Sequence, residues 1–457
     1  MSTSWGGPRT ALAAILAGAA ALRAVGIEYG LPFGLLDPDE QNIVPRAWRV
    51  VHGGGLDPHW FDYPSLLLYV AAPFQAWQSS PSYLAGRAVV VALGLAAIAA
   101  SWWLGRRSYG VVAAAVAAAI VAVDTVHVAY SRVTVTDVPL TLGVAVALTL
   151  MVSGRLELAG VAAGLATGFK YPGVLLLVPL AVAAWGQWRR LAIAVALALL
   201  AFAATNPFFF AHFDQAMGDA YRVQRLAREG WLGFEHDHGA PIAFVDRLWE
   251  SLGPVLIVAA LGLLVALVRR RGPDLVLASF VLVYFADLLT LNAHFDRYVL
   301  PLLPPLGVLA GRFRALAPVA LLLLVVPLTW AIRDDRRLTR TDTRVVARSW
   351  IERHVPRGAN VAVESSLPPL AGFKVLPLAL PGPSRRSDPN RDVGRLRKHG
   401  IGFAVVSGAV ADRVLAARER YRRETRFYLQ LRRSARRVYY VKANHALTGP
   451  WVAVYRL

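Results

Sequence analysis

Leu35-Leu36-Asp37-Pro38-Asp39-Glu40 follows the first long apolar run of the chain, about Thr10 to Ile27, and opens its first long polar loop. Three carboxylates crowd this short stretch, in a protein with only 29 acidic residues against 49 Lys and Arg. One reading is a helix start, with Asp37 as N-cap, Pro38 as first helical residue and Glu40 as the reciprocal partner of a capping box. That leaves Asp39 as a free carboxylate beside a membrane surface. The other reading is functional, and it rests on what the rest of the chain places beside that carboxylate.

Outward from this stretch the sequence is apolar. Of 457 residues 56% are hydrophobic, the mean hydropathy is +0.46, and several runs are long enough to span the bilayer. A hydrocarbon core of about 30 Å needs roughly 20 residues at about 1.5 Å each, so this is a multi-span membrane protein. The first run resembles a signal sequence, but no cleavage pattern follows it and many spans do, so it reads as a retained helix. The absence of cysteine excludes disulfides and thiolate chemistry. Of the net charge of +20, the stretch from Arg333 to the end supplies +17, with 27 Lys and Arg against 10 Asp and Glu. A soluble basic domain is therefore expected after the membrane part.

Short arginine-bearing loops tend to stay cytoplasmic. Arg9, Arg106-Arg107, Arg155, Arg189-Arg190, Arg269-Arg270-Arg271 and Arg312 with Arg314 form one such set, between whose members the chain must cross an even number of times. Runs near 10–27, 84–104, 109–129, 136–153, 191–209, 251–268, 275–291, 298–311 and 316–332 read as spans. Parity then makes 156–186 cross twice, as two short helices meeting near Lys170-Tyr171-Pro172 or as a re-entrant pair, with Lys170 facing the outer side or a polar cavity. Segment 65–78 is apolar but short and contains Pro73, and it reads as a membrane-associated or re-entrant piece of the first outer loop. The expected fold is an all-α polytopic membrane domain of about 11 transmembrane helices over 1–332, with outer loops 28–83 and 210–250. A small α/β extracytoplasmic domain over 333–457 completes it. The N-terminus is cytoplasmic and the tail lies outside, in a bacterial inner membrane to judge from the Arg- and Ala-rich composition.

This topology gathers the polar residues on the outer face: Asp37, Asp39 and Glu40; Asp62 and Tyr63; Arg132 and Asp137; Lys170; Asn206; the loop His212 to Asp246; and His294, Asp296 and Arg297. A single member is a loop residue solvated by headgroups, but ionisable groups at membrane depth are expensive and a gathering of them lines a functional cavity. In the tail, helices are expected over Thr343 to His354, around Asp392 to His399 and, as one long Arg-rich helix, from Val410 to about Arg433. Strands are expected over Asn360 to Glu364, Ile401 to Ser407, Val438 to Val441 and Val452 to Tyr455, with a loop over Leu380 to Asn390. The arginine runs suit anionic lipid headgroups or cell-envelope polymers rather than nucleic acid, or form a merely solvated face.

Carboxylates beside Lys and Arg at the outer leaflet suit a substrate that carries a phosphate at the membrane surface. A carboxylate such as Asp39 takes the proton of an acceptor hydroxyl as general base. Lys170, Arg132 and Arg297 stabilise charge developing on a phosphate leaving group. Glu40 or Asp62 assists by orienting a group or binding a divalent ion.

These residues resemble a known family. Pro38-Asp39-Glu40, Phe61-Asp62-Tyr63-Pro64-Ser65-Leu66, Tyr130-Ser131-Arg132 with Asp137, Gly168-Phe169-Lys170-Tyr171 and Arg297-Tyr298-Val299-Leu300-Pro301 follow one another as in GT-C fold glycosyltransferases of the protein-mannosyltransferase and aminoarabinose-transferase type (family 39 type). The resemblance covers most of the chain. It implies an inverting transfer, in one displacement, of a hexose or pentose from a polyprenyl-phosphate-linked sugar to a glycan, lipid or protein acceptor. It makes Asp39 the catalytic carboxylate, Lys170 and Arg297 contacts to the polyprenyl phosphate, and Asp137 a support of the site. Beside these the candidate set holds Glu40 with the catalytic carboxylate, Arg132 and Tyr63 with the donor phosphate, and Asp62 and Tyr298 with the supports. The chain departs from many relatives in having Tyr63-Pro64-Ser65-Leu66 for a His-Pro-Pro-Leu motif and Asp62-Tyr63-Pro64 for Glu-Lys-Pro, so Tyr63 stands where a basic residue would. Only some relatives bind a divalent metal; Asp62, His236 and His238 are the candidate ligands here, although two His flanking Asp237 in a Gly-flanked loop also read as solvated. A transporter or flippase of a lipid-linked sugar also explains many spans and a broken helix at Lys170. The absence of an internal repeat and the placing of the acidic motifs in outer loops favour the enzyme.

Overall fold

The computed structural model describes residues 6–457, so the first five residues of the expected membrane domain lie outside the described residues. By length and composition, three described helices are able to cross a membrane: Tyr83–Ser108, Trp188–Thr205 and Arg314–Leu338. Two bent pairs raise the number to five if each is one span: Val111–Val123 with Thr125–Ser131, bent by 60°, and Ala240–Leu252 with Val255–Arg269, bent by 117°. Leu199, Leu200, Leu264 and Val268 stay exposed on these helices, as apolar side chains facing lipid do.

Small residues set the helix packing. A Cβ at Gly160 or Gly164 would meet the carbonyl oxygens of Ala194 and Ala198 at 2.0 and 2.2 Å, so Leu156–Phe169 and Trp188–Thr205 touch backbone to backbone.

Two expected runs are shaped differently from their apolar content, and a third breaks where expected. The run 109–129 breaks at Asp124, whose Oδ1 accepts the His127 N–H at 2.7 Å and whose Oδ2 accepts the Ser251 hydroxyl at 2.5 Å. A side chain that caps a new helix ends the old one. The last expected span runs on as helix Val325–Leu338, taking in the Arg333 to Arg337 stretch assigned to the tail; Asp335 on it is buried against Arg132 at 2.6 Å. At Lys170 the expected break is present: helix Leu156–Phe169 stops, Lys170 is extended, and a 3₁₀ turn Tyr171–Leu176 leads into Leu177–Ala183. Pro172 lacks the N–H that a continuous helix needs.

Polar turns collect at one end of the bundle, where Arg312 pairs with Asp274 at 3.1 Å and Tyr109 donates to the same carboxylate. Arg190 likewise clasps Glu157 and donates to the Gly154 carbonyl.

The C-terminal part carries strands β1 (Thr341–Asp342), β2 (Asn360–Glu364), β3 (Lys374–Leu378), β4 (Phe403–Ser407), β5 (Arg436–Val441), β6 (Leu447–Thr448) and β7 (Val452–Arg456). Five form one sheet in the order β3-β2-β4-β7-β5, parallel from β3 to β4 and antiparallel through β7 to β5. Strand β3, absent from the sequence expectations, has a mostly exposed pattern and a proline, which suits an edge. The single long helix expected over Val410 to Arg433 is two, Gly408–Ala416 and Arg422–Ser434. Buried Tyr421, in the turn between them, donates to Glu235, in the loop between helices Phe213–Glu229 and Ala240–Leu252, at 2.5 Å.

This domain grips the loop that leads into helix Pro38–Val51. Tyr29 donates to Asp342 at 2.7 Å, Arg344 donates to the Leu35 carbonyl at 2.9 Å, and the Arg348 guanidinium lies 4.6 Å from the centre of the Phe33 ring.

Candidate functional site

Asp37 serves both readings of the opening stretch at once. It is the N-cap of helix Pro38–Val51, its Oδ1 accepting the Asp39 N–H at 2.9 Å. Its Oδ2 meets Arg297 Nη1 at 3.0 Å, and the same Nη1 lies 2.9 Å from Asp39 Oδ2. Capping the helix turns Asp39, one residue into its first turn, toward the arginine. Tyr63 donates to Asp39 Oδ2 at 3.1 Å, and Asp39 Oδ1 has no hydrogen-bond partner among the described residues.

Behind this pair, Asp137 at the start of its helix receives Lys170 Nζ on Oδ1 at 2.5 Å. The broken helix makes this possible, because the extended backbone at Lys170 points a cation into the bundle instead of along a helix face. Lys170 Nζ also lies 4.7 Å from the centre of the Tyr298 ring and 5.7 Å from that of Tyr63, contacts worth about 0.5–2 kcal/mol each. Asp137 Oδ2 and Arg297 Nε are buried 3.8 Å apart, each without a hydrogen bond among the described residues. The centre thus joins two cations to three carboxylates, Asp37, Asp39 and Asp137.

Burial pushes the Asp37 carboxyl up, to about 7, against the pull of Arg297 and with help from Asp39. Burial, then the charge of Asp39, pushes the Tyr63 phenol well above its ordinary range, so its hydroxyl remains a donor.

Of the residues expected to meet here, Asp39, Asp137, Lys170, Arg297, Tyr63 and Tyr298 do. Glu40 does not: it is fully buried, clasped by Arg87 at 2.8 Å on each oxygen, and also accepts the Thr134 N–H at 3.1 Å. It is neither a capping-box partner nor open to a substrate. Arg132 is spent on Asp335 and on the carbonyls of Leu22 and Val25, tying helix ends together. Asp62 pairs with Arg222, burial raising its pKa against that arginine.

The three metal candidates do not converge. His236 meets the Ala416 carbonyl at 3.2 Å, and His236 and His238 border a separate cavity of about 310 Å³ with Asp246 and Glu250. Nor do the central carboxylates fit a divalent ion, since the Arg297 guanidinium holds the point between Asp37 and Asp39 that a bridging ion would take.

Asp37 and Asp296 were expected on the outer face and Tyr130 in a motif, but none of the three had an expected role in the site. Tyr130 donates to Asp296 Oδ1 at 2.8 Å, and the Arg297 guanidinium lies 5.8 Å from the Tyr130 ring centre. For Asp37 the signal was present, because an N-cap uses only one of two carboxylate oxygens.

The fold is similar to that of ArnT from Cupriavidus metallidurans in the apo state, at 16% identity and a TM-score of 0.62 over 97% of each chain. The same protein bound to undecaprenyl phosphate matches at 17% identity and a TM-score of 0.59, over 99% of this chain and 98% of that one. The archaeal oligosaccharyltransferase AglB from Archaeoglobus fulgidus, in complex with an inhibitory peptide and a dolichol-phosphate, matches at 13% identity and a TM-score of 0.57, over 88% of this chain and 70% of that one. No curated protein matches the sequence. The model of glycosyltransferase family 87 matches residues 60–292, half of the chain, and covers Asp62-Tyr63, Asp137 and Lys170. The GT-C resemblance of the motifs therefore holds, and the protein belongs to glycosyltransferase family 87.

Proposed function

We propose that this glycosyltransferase moves a monosaccharide from a polyprenyl-phosphate-linked sugar to an acceptor at the outer face of the bacterial inner membrane, inverting the anomeric centre, with Asp39 as general base. The observation that carries this is the free Oδ1 of Asp39, held beside Arg297 and within one side chain of Lys170. Of the three carboxylates in the opening stretch, both oxygens of Asp37 and both of Glu40 are engaged, which leaves Asp39 with an unpartnered oxygen.

Asp39 takes the acceptor hydroxyl proton as that oxygen forms its bond to the anomeric carbon. The bond from that carbon to the phosphate oxygen breaks, and polyprenyl phosphate leaves. Charge building on the phosphate is met by Lys170 and Arg297, while Tyr63 holds Asp39 in its rotamer. Fixed donors aimed at developing charge act more strongly in a water-poor site than in solvent. The likeness to ArnT bound to undecaprenyl phosphate and to AglB in complex with a dolichol-phosphate supports a polyprenyl carrier, and the peptide in the AglB complex supports protein as one acceptor class. Glycan, lipid and protein remain the acceptor classes.

The same reading takes the bundle as about eleven crossings, with the Arg312–Asp274 end cytoplasmic and the Asp39 site and C-terminal α/β domain extracytoplasmic. The arginine turns meeting at one end and the carboxylates at the other support that orientation. Membership of a glycosyltransferase family favours the enzyme over the transporter.

The test is transfer or hydrolysis from a panel of radiolabelled polyprenyl-phosphate monosaccharides by detergent-purified protein. One donor should turn over, and Asp39→Asn should lower the rate by about 10²–10⁴ with unchanged folding. Equal turnover by the variant removes Asp39 from the role of base. Donor binding without turnover, together with translocation in liposomes, supports the transporter instead.

A further inference from the structure

Outside this centre, three metal-ligating side chains converge from the two outer loops. Asp57 and His59 belong to the first; His212 stands at the start of helix Phe213–Glu229 near the second. His212 Nε2 lies 2.6 Å and His59 Nδ1 3.4 Å from Asp57 Oδ2, and the three candidate ligand atoms are all within 4.8 Å of one another. The His59 N–H donates to Asp57 Oδ1 at 2.9 Å, which leaves Oδ2 turned toward both imidazoles. His59 adopts a left-handed backbone at φ 48° to make this turn.

We propose that Asp57, His59 and His212 bind a divalent transition metal of the zinc type. Two imidazoles and one carboxylate suit zinc and its neighbours, whereas magnesium and calcium want oxygen ligands throughout. Ligand bonds of about 2.0–2.1 Å at tetrahedral angles set ligand atoms about 3.3 Å apart. The His59 contact already has this spacing, and the shorter His212 contact opens when the ion replaces the proton between Nε2 and Oδ2. The His59 side chain is 64% exposed, so an ion arrives from solvent and water completes the fourth position.

The ion pins the first outer loop to the start of the helix that carries Asp219 and Arg222. Those two residues hold the adjacent backbone: Asp219 accepts the Phe61 N–H at 3.3 Å, and Arg222 pairs with Asp62. Tyr171 donates to the Phe61 carbonyl at 2.8 Å. Tyr63, the donor to Asp39, follows directly. The metal is thus a clamp on the segment that delivers Tyr63 rather than a participant in transfer, and its binding is read without turnover.

Untagged, full-length, metal-free protein in detergent is titrated with zinc chloride by calorimetry, with bound zinc counted by mass spectrometry after gel filtration. The wild type should bind one equivalent more than the His59→Gln/His212→Gln double variant, and its unfolding temperature should rise with zinc but not with magnesium. His59→Gln alone, at an exposed position that does not disturb packing, should weaken binding by about 10- to 100-fold or more. Zinc stoichiometry and affinity equal in wild type and both variants, including binding retained at His236 and His238, overturn the proposal, as does a wild type that takes up no zinc.

Discussion

Arg87 clasps Glu40 through two parallel hydrogen bonds, Nε to Oε1 and Nη2 to Oε2, each 2.8 Å long and both side chains fully buried. Arg87 Nη1 also donates to the carbonyls of Ile27 and Tyr29 at 2.7 and 2.8 Å. The pair fastens helix Pro38–Val51 to Tyr83–Ser108 and to the loop between Ile27 and Tyr29. Removing one partner leaves a buried charge alone, which costs about 3–5 kcal/mol. Arg87→Met should therefore lower the unfolding temperature sharply, and thermal unfolding followed by tryptophan fluorescence checks it. Asp39→Asn, one residue from Glu40, should leave that temperature nearly unchanged.

The raised Asp37 carboxyl makes stability depend on pH in a defined direction. Its ordinary value is 3.8 and its folded value about 7, so between about pH 4 and 7 the folded protein holds a proton that the unfolded chain releases. Stability from this group therefore falls as pH rises through that window. Asp37→Asn should flatten the corresponding slope of unfolding temperature between about pH 4 and 7. An unchanged slope would assign the dependence to another group.

Lys170 and Asp137 should prove coupled in stability and separable in catalysis. Lys170→Met leaves Asp137, 1% exposed, with only the longer 3.8 Å approach of Arg297, and both folding and turnover should suffer. Adding Asp137→Asn removes the unpaired charge and should restore most of the lost stability, while turnover stays about 10²–10³ below wild type for want of the phosphate contact. Parallel unfolding and transfer assays on the two variants distinguish a structural ion pair from a catalytic one.

Arg344 reaches from the C-terminal domain to the Leu35 carbonyl at 2.9 Å, two residues before Asp37, while its guanidinium is held by Asp342 at 2.6 Å. Arg344→Ala should loosen this loop without unfolding either part. Hydrogen exchange over residues 29–40 should quicken, and turnover should drop by about 10-fold or more, because small displacements of a catalytic group are costly. Exchange confined to the C-terminal domain would deny the contact a role in the site.

Much of the local structure was legible in the sequence. Asp37-Pro38 starts a helix because a short acceptor side chain followed by a fixed φ leaves few alternatives, and Lys170-Tyr171-Pro172 ends one because proline cannot donate. The strands at Asn360, Phe403 and Val452 were legible from their β-branched runs between turns. These are properties of adjacent residues, and adjacent residues carry them into any fold.

Partner choice was not local. Arg87 lies in an apolar run 47 residues from Glu40, and nothing near either one marks the pair. Arg132 stood within a site motif as an expected phosphate contact, yet burial against Asp335, far along the chain, claimed it. The expected helix from Val410 to about Arg433 is two helices, and buried Tyr421 in the turn between them donates to Glu235 in another loop, a partner that nothing near Tyr421 marks. The sequence by itself determined a membrane-embedded helical protein with a basic α/β tail and an acidic first polar loop, since hydropathy and capping act residue by residue. Only the tertiary structure decided which carboxylate of Asp37, Asp39 and Glu40 keeps a free oxygen, because buried charges are satisfied by whatever packing brings within 3 Å.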